Sequence, residues 1–275
     1  MLRARIAAEP GIGLAVPDGA TPEALGRVHD AGYLGRVRSG TLAREDVRRI
    51  GFPWSPELVE RSRRSVGGTV AAAAAALDDG VAANLAGGTH HAFPDRGEGF
   101  CVFNDVAVAA RDLQARGRVR RCAVIDLDVH QGNGTAAIFR DDDSVFTLSV
   151  HGANNYPFRK ELSDLDLELP DGTGDERFLE AVELGVRRAL THRVDLAFYV
   201  AGADPYEHDR LGRLSVTKAG LATRDEIVFD ACARTGTPVA VVMSGGYAAD
   251  IHDTVDIHAT TIRAAARHTG PRIAT

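Results

Sequence analysis

The sequence predicts an α/β protein: an open, mostly parallel sheet flanked by helices, folded as one domain over residues 1–275. Three observations predict it. Five short runs are almost continuously apolar and rich in β-branched residues, as strands covered on both faces are. Helix-periodic segments alternate with them, the pattern of strand–helix–strand crossovers. Apolar residues make up 44% of the 275 positions, enough for a sizeable core.

Taken in order, the loop-like PDGATP (Pro17–Pro22) precedes a helix expected from Pro56 to about Asp79. Its alanine run, Ala71–Ala76, marks close helix packing rather than disorder. The first strand is VAANLAG (Val81–Gly87), and the helix that follows, Val102–Arg116, carries Asn104-Asp105 near its start. RVRR at Arg118–Arg121 reads as a solvated turn before the second strand, CAVID (Cys122–Asp126). VFTLSV (Val145–Val150) is the third strand, and a loop at PDGTGD (Pro170–Asp175) leads into a helix over Asp175–Leu190. LAFYVAG (Leu196–Gly202), a helix over Thr217–Thr235, VAVVM (Val239–Met243) and a helix over Ala248–His268 complete the series. No internal repeat and no linker interrupts it.

Charge and composition exclude several classes. A formal net charge of -6 and no Lys/Arg cluster interleaved with aromatics argue against a nucleic-acid partner. No stretch approaches roughly 18 uncharged apolar residues, and MLRARIAAEP lacks the apolar middle of a secretory signal. The expectation is a cytoplasmic protein without a membrane partner. Cys101, Cys122 and Cys232 are odd in number and widely spaced, so neither a disulfide framework nor a cysteine zinc site is expected. Oligomeric state is not readable from the sequence.

Chemistry collects directly after the strands. GGTHHAFPDRGEGF, DLDVHQGNG, SVHGANNYPF, GADPYEHD and SGGY follow the five strands in turn, and ligands bind parallel sheets at the strands' carboxyl ends. Singly, each has an ordinary explanation. His90-His91 suits a hydrogen-bonded core pair, GNGT a helix cap, and SGGY a plain turn. Without a P-loop lysine, a phosphate site at GNGT is disfavoured. Together they suit a metal hydrolase. A catalytic zinc takes three protein ligands and keeps a position open, and Asp128, His130 and Asp204 supply such a set. Strand alternation would turn Asp126, Asp128 and His130 to one side, leaving Asp126 free to orient an imidazole.

These residues resemble the histone deacetylase family, and in detail its class IV branch and similar bacterial proteins. GGTHHA, GFCVFND, DLDVHQGNGT, GADPYEHDRLG and SGGY occur in the family's order, and GFPWSPELVERS and DRLGRLSVTKAGLATRDEIVFD are similar to class IV members. The resemblance covers nearly the whole chain, from about Pro17 to the last helix. It implies the arginase/deacetylase fold with an eight-stranded sheet, and zinc-dependent removal of acetyl or longer acyl groups from acyl-lysine. It further implies Asp128, His130 and Asp204 as zinc ligands, His90 and His91 as acid/base pair, and Tyr247 as the oxyanion donor. Asp126 would accept from His90 and, with Ser149 and the backbone of Asp128 and His130, help hold a structural potassium ion. Gly99, Phe100, Gly245 and Gly246 would shape the acyl tunnel, with Tyr156 or Phe158 as the facing aromatic. Asn133 stands where many members carry an aspartate beside the second histidine. A neutral amide stabilises an imidazolium less, so His91 is expected to have a lower pKa than in a His–Asp dyad.

Three other readings compete. An acylpolyamine or other small-amide deacylase would use the same zinc site. A two-manganese ureohydrolase needs further aspartates where Gln131-Gly132 stands. A non-catalytic acyl-binding protein would be expected to lose a ligand, a histidine or the tyrosine, all of which are present. His29, His192, His252, His258 and His268 read as surface or packing residues, while His151 and His208 lie near the rim.

Overall fold

Cys122–Asp126, Leu196–Ala201 and Val239–Met243 are buried at every position, as central strands covered on both faces must be. A computed structural model of the chain describes residues 1–191 and 193–269. His192 therefore lies outside the described residues. The strands are β1 (Val81–Asn84), β2 (Cys122–Asp126), β3 (Val145–Gly152), β4 (Leu165–Leu169), β5 (Leu196–Ala201) and β6 (Val239–Met243). They form one sheet in the order β1-β6-β5-β2-β3-β4, every neighbouring pair parallel.

Alternate residues of the same strands enter different cores. Ala123, Ile125, Tyr199 and Val241 pack with Phe178 and Val182 of α8 (Asp175–Leu190), Val228 and Phe229 of α9 (Lys218–Thr235) and Ile257 of α10 (Ile251–Arg267). Val124, Phe198, Val200 and Val242 pack with Ala73 and Ala76 of α5 (Pro56–Asp79) and Val106 and Ala110 of α6 (Asp105–Ala115). The period-2 strand pattern thus becomes two helix layers. The alanine run lets α5 approach the sheet closely, and Asn104 caps α6 by accepting from the Ala107 N–H at 3.0 Å.

The sheet has six strands among the described residues, not the eight the resemblance implies. Gly11–Ala20, ahead of β1, holds three glycines and Pro17, a composition poor in strand propensity, and forms no strand. The N-terminal region instead supplies short helices: α1 (Leu2–Ile6), α2 (Pro22–Gly26), α3 (Ala31–Ser39) and α4 (Arg44–Ile50). Strand β4 was not expected, because the acidic alternation of LDLEL reads weakly; it lies half-exposed at the sheet edge. GNGT opens α7 (Asn133–Phe139), a helix-start role among those open to it. No helix among the described residues is long and apolar enough to cross a membrane.

Candidate active site

Because the strands run parallel, the segments leaving β1, β2, β3, β5 and β6 meet at one end of the sheet. They line a cavity of about 620 Å³ that includes His90, His91, Gly99, Phe100, Asp128, His130, Tyr156, Phe158, Gly245, Gly246 and Tyr247.

At its floor, β2 stops at Asp126, so regular strand alternation does not extend to His130. Successive side chain-to-backbone bonds curl the segment instead. Asp126 Oδ1 accepts from the Asp128 N–H at 3.2 Å, and Asp128 Oδ1 from the His130 N–H at 2.8 Å. This turn brings His130 Nδ1 to 3.0 Å from Asp128 Oδ1 and 3.1 Å from Asp204 Oδ2. The three offer ligand atoms within 4.8 Å of one another, and no fourth His, Cys, Asp or Glu joins the group among the described residues.

Asp128 and Asp204 are 1% and 0% exposed. Burial, then the Asp128 charge, pushes the Asp204 carboxyl up to about 6. Burial pulls His130 down, but its hydrogen bonds to the two carboxylates outweigh this and hold the imidazole at about 10. Two buried carboxylates around one nitrogen make a site that favours a cation, and the donor set suits zinc. Three further donors fix the two carboxylates: Ser244 Oγ to Asp128 Oδ2 at 2.7 Å, Gly245 N to the same oxygen at 2.9 Å, and Val129 N to Asp204 Oδ1 at 3.0 Å. Behind them, the fully buried Arg224 donates to the carbonyl of Gly202, two residues before Asp204, and pairs with Asp225.

The paired imidazoles stand beside this floor, ring centroids 4.2 Å apart, with His91 6.0 Å from His130. His90 Nδ1 lies 2.6 Å from Asp126 Oδ2, and His91 Nδ1 lies 2.7 Å from Asn133 Oδ1. Burial lowers both, but the Asp126 and Asp128 carboxylates reverse the sign for His90 and raise it to about 9. His91 has only the neutral amide beside it; burial and then the neighbouring imidazoles keep it well below the ordinary value. The Asn133 hydrogen bond and the Asp128 charge raise it, but by less than burial and the neighbouring imidazoles lower it.

The upper wall is aromatic. Phe100 is a non-glycine residue at φ +66°, a strained conformation held by Phe100 N to Ile50 O at 2.8 Å and Gly99 N to Arg49 O at 3.1 Å. It faces the Tyr247 ring at 6.1 Å. Gly99 is required where it stands: a Cβ would come 2.6 Å from His91 Cδ2. Of the two aromatics left open opposite Phe100, Tyr156 meets His91 edge-on at 5.0 Å, whereas Phe158 is 84% exposed. The Asp209 carboxylate accepts from the Tyr247 backbone N–H at 2.5 Å. Burial, then Asp204 and Asp128, raises the Tyr247 phenol, which stays protonated.

Ser149 is level with Asp126 in the β2–β3 register, although its Oγ also lies 2.9 Å from His151 Nδ1. Gln131 turns away from the floor and bonds Glu161 O and Asp166 near β4. His29 and His258 are buried and His252 is exposed; His268 stacks on Phe229, and His208 packs edge-on against Tyr206.

Sequence reasoning missed several supporting residues. Asp105 accepts from Thr69, Thr89 and the backbone of Gly88 and Thr89, tying down the loop before His90. A charged residue at the start of an otherwise buried helix could have pointed to it. Glu98, Ser244 as a donor, and Arg224 act across long sequence separations that leave no local pattern.

The family model described as Histone deacetylase domain matches residues 2–262. The chain belongs to the histone deacetylase family. An uncharacterized protein of Picosynechococcus sp. is 48% identical over 239 residues, covering 86% of this chain and 80% of that one. The histone deacetylase-like amidohydrolase of Pseudomonas aeruginosa is 33% identical, over 83% of this chain and 64% of its own length. Histone deacetylase 2 of Arabidopsis thaliana is 35% identical, over 80% and 59%. The chain thus spans less than two thirds of these last two relatives. In fold it is similar to an HDAC homologue from Aquifex aeolicus, with TM-score 0.80 and 25% identity over 96% of this chain and 76% of that one. An acetylpolyamine aminohydrolase from Burkholderia pseudomallei gives TM-score 0.81 at 23% identity, over 96% and 88%. The α/β parallel-sheet fold is accordingly that of this family.

Proposed function

We propose that the protein is a zinc-dependent amidohydrolase that removes acetyl or longer acyl groups from acyl-lysine. The observation that carries this reading is the buried three-ligand group Asp128–His130–Asp204 opening toward a neutral imidazole, His91, and a protonated phenol, Tyr247. Bound there, zinc supplies Lewis acidity and lowers the pKa of water. His91 accepts the proton of the attacking water and returns one to the leaving amine. Asp126 holds His90 as a cation beside it, and Tyr247 donates to the oxygen on which charge develops. Asp126 and Ser149, side by side on neighbouring strands, would hold a structural potassium ion.

Gly99, Phe100, Tyr156 and Gly246 line the cavity with glycine and aromatic surface suited to an aliphatic chain, and Phe158 adds an exposed ring to that lining. The mouth also carries Arg48, Arg49 and Arg213, while the only carboxylate among the described lining residues is Asp128 at the floor. Arg49 and Arg213 are paired with acidic neighbours, but Arg48 is exposed and has none among the described residues. A polycationic amine would meet that charge unfavourably, which supports acyl-lysine over acylpolyamines.

The test is zinc-loaded protein assayed against acetyl-lysine peptides, longer acyl-lysine peptides and acetylated polyamines. The reading expects acyl-lysine to be preferred by about tenfold or more in kcat/KM. Preference for the polyamine overturns the substrate, and no hydrolysis of any of the three overturns the function.

A further inference from the structure

An amide has two faces, and Asn133 must show the correct one to His91. With Oδ1 toward His91 Nδ1, that nitrogen carries the proton and Nε2 keeps a lone pair for water. With Nδ2 there, Nδ1 must accept, Nε2 becomes protonated and the base is disabled. An aspartate at this position would have no wrong face.

We propose that Glu98 is the residue that locks this amide, and so a positioning residue for His91, an inference that rests on His91 being the base. Glu98 Oε1 lies 2.8 Å from Asn133 Nδ2, and the same oxygen accepts from the Tyr156 hydroxyl at 2.5 Å. An ionised carboxylate only accepts, so a flipped amide would set its oxygen against a negative charge. Correctly oriented, the bonds run in one sense: Tyr156 O–H and Asn133 N–H both donate to Glu98, and His91 Nδ1–H donates to Asn133.

The carboxylate is itself held. Glu98 exchanges backbone bonds with Cys101, at 3.0 Å and 2.9 Å. Its side chain is 13% exposed, and Arg96 Nε stands 3.7 Å from its second oxygen. The same contact ties the Tyr156 wall of the passage to the base. Glu98 thus supplies from eight residues after His90 what a carboxylate in place of Asn133 would supply directly.

The experiment compares Glu98→Ala with the double variant Glu98→Ala/Asn133→Asp. Glu98→Ala, which leaves both amide faces accessible, is expected to lower kcat severalfold while changing KM by less than about threefold. Adding Asn133→Asp, which has no wrong face but raises the pKa of the base, should shift the pH–rate profile to higher pH and return kcat on its alkaline plateau close to the wild-type value. A purely structural role for Glu98 gives no such rescue. The 15N shifts of the His91 ring supply a readout independent of turnover. Measured at a pH above the imidazole pKa of each variant, Nε2 should be bare in wild type, protonated in a substantial fraction of Glu98→Ala, and bare again in the double variant. If Glu98→Ala keeps wild-type kcat, if the double variant is as slow as the single one, or if Nε2 stays bare throughout, the inference fails. Should the wild type hydrolyse nothing, the proposed function fails while the ring shifts still decide the role of Glu98.

Discussion

Gly245→Ala is the most informative small perturbation of the floor. Gly245 donates its backbone N–H to Asp128 Oδ2, which puts its Cα against the carboxylates of both Asp128 and Asp204. A Cβ there would overlap Asp204 Oδ2 outright and would stand 2.6 Å from Asp204 Cγ and 2.8 Å from Asp128 Oδ2. The Cγ separation falls about 0.8 Å short of the 3.4 Å at which ordinary contact begins. Neither carboxylate can yield easily: Asp204 is fully buried and held at Oδ1 by Val129 N, and Asp128 is held by Ser244. A metal site tolerates ligand errors of only about 0.2 Å, so a shift near 0.8 Å should cost at least 10–100-fold in zinc affinity. Overpacking should also lower stability by about 1–3 kcal/mol, which leaves a folded protein to measure. The assay is competition for zinc against a chelator of known affinity, with circular dichroism as the control for folding. Wild-type zinc affinity in folded Gly245→Ala would refute the placement of Asp128 and Asp204 around one ion.

Three other outcomes are expected. Tyr247→Phe should retain zinc yet lose on the order of 10²–10³ in kcat, and near-normal turnover would remove the phenol from the mechanism. His29, buried between Phe93 O and Asn104 N, is lowered to about 4, chiefly by burial. The unfolded chain therefore takes up its proton first: the His29 contribution is complete above pH 6.5 and is lost as pH falls toward 4, on the order of 3 kcal/mol in all. His29→Asn should flatten the fall in urea-unfolding free energy between pH 7 and pH 4.5, and an unchanged slope would contradict this. Arg224→Ala strands the buried Asp225 charge and should cost roughly 3–5 kcal/mol in the same assay, whereas a loss below about 1 kcal/mol would show that the pair is not what holds the Gly202 turn.

The central sheet was legible because burial on both faces leaves a strong local trace: CAVID, LAFYVA and VAVVM can scarcely be anything but inner strands. LDLEL was not, since an edge strand with one wet face keeps only weak alternation. The short N-terminal helices carry too few turns to show a period. At the site, the residues expected to carry chemistry lie in or shortly after strands, a placement that local pattern can show. How Asp128 and His130 converge was misjudged: a side chain-bonded turn achieves it, since β2 ends two residues earlier. Residues that act by holding others, such as Glu98 against Asn133 and Arg224 against Gly202, depend on tertiary neighbours and lie beyond local pattern.

The claim under all of this is one zinc ion on Asp128, His130 Nδ1 and Asp204, open toward His91. Anomalous diffraction at the zinc edge from crystals of the zinc-loaded protein tests it most directly. The account predicts one peak per chain within bonding distance of those three side chains, with water at the remaining position. A peak elsewhere, or a fourth protein atom bound to the ion, would contradict it.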